Sequence, residues 1–193
     1  MLDRLLAEIG ACRLCEAHLP LGPRPLLRIS TSARLAICAQ APGTRAHVAG
    51  LTFDDASGDR LRDWLGLDRA TFYDTARVAV VPMGFCFPGT MPRGGDYPPR
   101  LECAPTWRRR VFDLMPQIEL KLLVGSYAQA WHLGARRQPT LTATVAAWRD
   151  YLPEYLPLPH PSWRNTGWIK ANPWFAADLL PFLKKRVQEL VAG

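Results

Sequence analysis

The sequence predicts a three-layer α/β/α fold around a central four-stranded, mainly parallel sheet, in one domain over residues 1–193. Three observations predict it. Short apolar runs alternate with segments of helical spacing. The runs are continuously apolar, as strands covered on both faces are. Gly and Pro cluster just after them, where the chain must turn.

Met1 to Gly10 reads as an amphipathic helix with acids in it, not as a signal peptide. Ala33-Arg34-Leu35-Ala36-Ile37-Cys38 is the first strand, closed by Pro42-Gly43. Ser57 to Leu65 has helical spacing at Leu61, Trp64 and Leu65, and Val78-Ala79-Val80-Val81 is the second strand. Phe85 to Pro99 is rich in Gly and Pro and too long for an ordinary connection, so it reads as a functional loop or a cofactor clamp. Thr106 to Met115 is a helix with a basic face, Arg108-Arg109-Arg110. Leu120 to Val124 is the third strand, and Gly125-Ser126 opens a helix over Tyr127 to Leu133. Thr142 to Trp148 is a helix, Tyr155 to Leu158 the fourth strand, and Trp174 to Val191 a closing amphipathic helix. Ligands of such sheets sit beyond the carboxyl ends of the strands. The Gln40–Gly43 turn, the Gly125-Ser126 turn and His160 all fall on that edge.

Hydrophobic residues make up 48% of the chain, which excludes global disorder. No apolar run approaches the ~20 residues that span a bilayer, so a cytoplasmic monomer with no membrane partner is expected. A net charge of +7 favours a polyanionic partner, nucleic acid ahead of a membrane surface.

His160 ends the run Leu156-Pro157-Leu158-Pro159 and is followed by Pro161-Ser162-Trp163-Arg164-Asn165. Each proline fixes its own φ and biases the residue before it toward extended backbone. The imidazole is thereby held on a stiff corner with a polar segment behind it. There are five cysteines. Cys12 and Cys15 form a C-x2-C pair, and Cys86 and Cys103 flank the Gly/Pro-rich loop, while Cys38 reads as a small core residue. In a cytosolic chain such spacing favours a metal or cluster over disulfides, either an iron–sulfur cluster or tetrahedral zinc.

These motifs together resemble the uracil-DNA glycosylase superfamily, closest to its iron–sulfur branches, the fourth and fifth families. Ala39-Gln40-Ala41-Pro42-Gly43 resembles the first active-site motif, and Gly50-Leu51-Thr52-Phe53 the segment with the base-stacking phenylalanine. Asp55-Ala56-Ser57-Gly58-Asp59 resembles the G-D-x-S-G-D run of the fifth family, and Gly125 to Gln129 the G-S-x-A-Q turn. His160-Pro161-Ser162 resembles the second active-site motif, and Asn172-Pro173-Trp174-Phe175 the start of the last helix.

The resemblance implies a monofunctional glycosylase that flips uracil from DNA, single- or double-stranded, and hydrolyses its N-glycosidic bond. It implies a [4Fe-4S] cluster on Cys12, Cys15, Cys86 and Cys103. Phe53 would stack on the base, with core packing as the other reading. Gln40, Ala41 and Gly43 would contact the base, and His160 would donate to its departing oxygen. Asp55 matches the water-activating aspartate, with Asp54 as the rival assignment and a helix N-cap as the structural alternative. Ser126, Ser162, Trp163, Arg164 and Asn165 are the expected DNA contacts, with Arg93, Arg100, Lys170 and the Arg108–Arg110 run along the backbone.

The departures bear on chemistry. Ala41 stands where the best-known family has an aspartate, and Gln40 where the fourth family has a glutamate; a glutamine cannot act as a base. Val81-Pro82-Met83-Gly84 offers no amide where relatives read the uracil edge. Hypoxanthine or xanthine release, or a catalytically weak damage-binding protein, are the alternative readings. Phe87 to Arg100 has no histidine for covalent trapping.

Overall fold

The computed structural model describes residues 1–192. Its elements run α1 (Leu2–Gly10), β1 (Leu35–Cys38), α2 (Thr44–Ala49), α3 (Ala56–Leu65), α4 (Arg69–Tyr73), β2 (Val78–Val80) and α5 (Cys103–Asp113). They continue β3 (Leu120–Val124), α6 (Ser126–Leu133), α7 (Leu141–Ala146), β4 (Tyr155–Leu158), α8 (Thr166–Ala171) and α9 (Leu180–Val191). The strands lie in the order β2-β1-β3-β4. Every pairing is parallel, so the expected sheet forms in full.

Because side chains alternate across a strand, each strand feeds two layers. Leu35, Ile37, Val78, Val80 and Leu122 face α3 and α9, where they meet Trp64, Leu65, Leu183 and Val187. On the other face Ala36, Ala79 and Val81 pack on Leu5 and Ile9 of α1 and on Trp107 and Val111 of α5. Cys38 and Leu123 pack on Ala128 and Leu133 of α6. Each of these large apolar side chains contributes about 1.5–3 kcal/mol by leaving water.

The short helices α2, α4 and α8 escape periodicity analysis, since five or six residues show hardly more than one turn. The helix after the long loop begins earlier than expected, at Cys103 rather than Thr106. The predicted Thr142–Trp148 helix divides, with α7 ending at Ala146 and a 3-10 turn over Trp148–Tyr151.

The basic face of α5 is not one face. Arg109 is exposed, and Arg110 pairs with Glu8 and lies over the Trp107 ring. Arg108 is only 2% exposed and points into the core. Its guanidinium donates to Val81 O (3.1 Å) and Pro82 O (2.8 Å) and contacts Cys38 Sγ (3.1 Å). It thus ties the carboxyl ends of β1 and β2 together and is withdrawn from any DNA. No carboxylate is among these partners, so carbonyl dipoles carry the compensation that a buried charge requires.

Its last partner is His132 Nε2 at 2.6 Å. That nitrogen can accept only while it is unprotonated. Burial, then Arg108 and Lys121, push the ring from its ordinary value down to about 3. An unfolded His132 takes up a proton below its ordinary value, whereas the folded one stays neutral. Stability from this group is therefore full above pH ~6.5 and is lost as pH falls toward about 3. Urea melts should show stability falling through that window, and His132→Gln should flatten the slope by up to about 1.4 kcal/mol per pH unit. An unchanged slope in the variant would refute the assignment.

Candidate active site

The carboxyl ends of β1, β3 and β4 deliver three turns to one edge. Beyond β4, His160 sits against the Gly125 turn: a Cβ built on Gly125 would lie 3.9 Å from His160 Cβ. Gly125 has φ +86°, a conformation that a side chain there would strain. The Ser162 N–H donates to His160 Nδ1 at 3.2 Å. An accepting Nδ1 leaves the proton on Nε2, which is then free to donate. Burial holds the ring below the ordinary histidine value, and the Asp55 carboxylate opposes that shift. His160 is thus a neutral ring with one donor, electrostatically coupled to Asp55.

The turn after His160 is braced from within. Asn165 Nδ2 donates to His160 O at 2.7 Å. Arg60 of α3 donates to Ser162 O (3.0 Å) and Thr166 Oγ1 (3.3 Å). Asn165 and the Ser162 main chain therefore shape the turn. Trp163 stands out at 76% exposure. Arg164 lies on the Gly/Pro-rich loop, where a Cβ on Gly95 would be 2.8 Å from its Nη1. Ser126 is exposed on the first turn of α6. Gln129 of the same motif is buried and donates to Leu123 O (3.3 Å) and Leu158 O (2.9 Å), joining β3 to β4.

Phe53 has φ +60°, the one non-glycine residue with positive φ among those described. Such a backbone persists where its surroundings over-determine it. Arg62 donates to Phe53 O at 3.1 Å, and the ring meets Phe72 edge-on with centroids 6.0 Å apart. Gly58 packs directly beneath. Asp54 is paired with Arg69 at 2.8 Å. Asp55 caps α3, its Oδ1 accepting from Gly58 N at 2.8 Å. The N-cap alternative therefore holds, with one oxygen engaged, and the same carboxylate acts electrostatically on His160.

The first motif continues β1. Ala39 O and Gln40 O accept from Met83 N (2.7 Å) and Gly84 N (3.0 Å). Gln40 Nε2 donates to Tyr97 O at 3.4 Å, which links the motif to the loop. Beside Tyr97, Asp96 Oδ2 stands 3.0 Å from where a Cβ on Gly43 would be. Sequence reasoning missed Arg60 and Asp96. Asp96 had a signal: it is the single acid between Phe85 and Pro99.

Cys12, Cys15, Cys86 and Cys103 line one cavity together with Phe85 and Trp107. All are free thiols. Burial pushes Cys86 up to about 11, with Cys15 and Cys12 adding to the shift. Burial likewise pushes Cys103 up to about 12, and Cys86, Cys15 and Cys12 add to it. The thiols are thus close enough to act on one another. Among the described residues, no group of three or more His, Cys, Asp or Glu side chains is placed to hold one metal ion.

A Cβ on Gly58 would stand 1.7 Å from Phe53 O, and backbone there cannot yield without moving Phe53. Gly58→Ala should lower stability by about 1–3 kcal/mol in urea melts. Gly10→Ala, with nothing within 4 Å, should change it by no more than about 0.5 kcal/mol. Equal effects would show that the Gly58 contact does not hold Phe53.

The family model described as the Uracil DNA glycosylase superfamily matches residues 28–184. The match takes in all four strands, Gln40 to Gly43, Phe53, Asp55 and His160, and leaves Cys12 and Cys15 outside it. The chain belongs to the uracil DNA glycosylase superfamily.

Proposed function

We propose that the protein is a monofunctional glycosylase that releases uracil from DNA and leaves an abasic site. One observation carries this reading: a neutral His160 whose tautomer is fixed by Ser162 N–H, with a free Nε2–H and Asp55 acting on the same ring. The base leaves the stack first, because its glycosidic bond is out of reach inside a duplex. Phe53 offers the flipped pyrimidine an aromatic face. As the bond breaks, its electron pair goes to the base nitrogen, and Nε2–H of His160 stabilises the charge on the base oxygen. Asp55 keeps one oxygen beyond its capping bond for water and for the cationic sugar. The water oxygen then bonds to the anomeric carbon and its proton passes to the carboxylate. Asp54 suits this role less well, being paired with Arg69. Gln40 can orient the base or water but takes no proton. Trp163 and Arg164 follow the histidine and suit the gap that the base leaves, with Ser126 on a phosphate.

A [4Fe-4S] cluster fits the cysteines better than zinc does. Zinc needs four sulfurs at ~2.3 Å from one point. A cluster spreads its four sulfurs wider, and the four thiols line one shared cavity without converging on a point. Cys12, Cys15, Cys86 and Cys103 would hold it, and when bound it would fasten the N-terminal pair to the loop without redox work. Hypoxanthine is a second substrate reading, because Val81 to Gly84 supplies no side-chain amide and its Met83 and Gly84 N–H groups are already paired.

Uracil should be released from a labelled oligonucleotide, with kcat lowered about 10²–10³-fold in His160→Ala. Binding without abasic product, on uracil and hypoxanthine substrates alike, would instead make this a damage-binding protein. Anaerobically purified protein should be brown and lose its colour in Cys86→Ser. A colourless protein carrying stoichiometric zinc would overturn the cluster.

A further inference from the structure

The Gly/Pro-rich loop brings a carboxyl group to the base side of the site that the chemistry above leaves unused. Asp96 Oδ2 lies over Gly43, where the chain has no side chain of its own. Thr90 Oγ1 donates to the other oxygen, Oδ1, at 3.4 Å. The neighbouring Tyr97 O receives Gln40 Nε2, so the loop and the first motif approach as one wall. We propose that Asp96 is a specificity-determining residue, whose Oδ2 reads the polar edge of the flipped base in place of the carboxamide missing from Val81–Gly84. The proposal rests on the glycosylase reading and adds the group that selects the base.

The chemistry follows from which oxygen holds the proton. Oδ1 accepts from Thr90, so a protonated Asp96 carries its hydrogen on Oδ2 and donates it. A donor there suits a base carbonyl, as in uracil or hypoxanthine, while an ionised Oδ2 repels it. Burial raises Asp96 above the ordinary carboxylate range, against the opposing pull of the Thr90 hydroxyl and the Arg164 guanidinium. Arg164 is the charged group that faces it from the turn after β4; Gly43 faces it from the first motif and Thr90 from its own loop. A carboxamide at position 96 would keep a donor at every pH.

The test measures kcat/KM against pH on uracil and hypoxanthine oligonucleotides for the wild type, Asp96→Asn and Asp96→Ala, each checked for an unchanged melting temperature. Wild-type release should fall with rising pH along a limb that Asp96→Asn lacks. Asp96→Ala should lose about tenfold or more at low pH, where the wild type has its donor. A limb retained in Asp96→Asn, or an Asp96→Ala variant as active and as selective as the wild type, would overturn the proposal while leaving the glycosylase intact. A wild type inactive on both bases would overturn the glycosylase reading itself, and this proposal with it.

Discussion

Four parallel strands cannot be joined by hairpins; each needs a crossover, and each crossover departs from the same edge of the sheet. That constraint makes the site. Gln40, Gly125 and His160 are scattered over more than a hundred residues of chain, yet they follow the carboxyl ends of β1, β3 and β4. The register of the two central strands, with Leu35 opposite Leu120 and Cys38 opposite Leu123, fixes how far each turn extends past its neighbour. A slip would separate the His160 donor from the groups facing it.

Beneath that edge the structure uses charge where a purely apolar core would suffice for stability. Arg108 fastens two strand ends through carbonyl oxygens and requires a neutral His132 beside it. The site above has a related arrangement, a partly buried histidine kept neutral with a carboxylate acting on it. In both cases burial sets the protonation state and a single hydrogen bond fixes what each ring nitrogen does. On the proposed reading, rigid positioning of the His160 donor counts for more than its charge, since a pre-aimed N–H needs no reorganisation as a base departs.

Much of this was legible in the chain. Buried strands announce themselves as apolar runs, and β3 and β4 have the bounds their sequences suggest. Prolines on either side of His160 marked a stiff corner, and Asp55 before Ala56 marked a cap. Periodicity could not reveal that Arg108 turns inward, because three consecutive arginines look like a solvated face until the neighbouring strand ends are placed. Nor could it place Asp96, whose role depends on a fold-back across more than fifty residues to Gly43. Arg60 is similar: its partners lie in a turn about a hundred residues later. Local pattern records what a residue is. It does not record what reaches it from afar.

The bare backbone at Gly43 has a consequence for how such a protein changes over time. The wall missing there is lent by Asp96, on a loop that runs between Cys86 and Cys103 and carries none of His160, Asp55 and Phe53. Substitutions in that loop can therefore remodel the pocket without touching the groups assigned to bond breaking. On the proposed assignments, preference and chemistry sit on different stretches of chain, so the first can change while the second stays fixed.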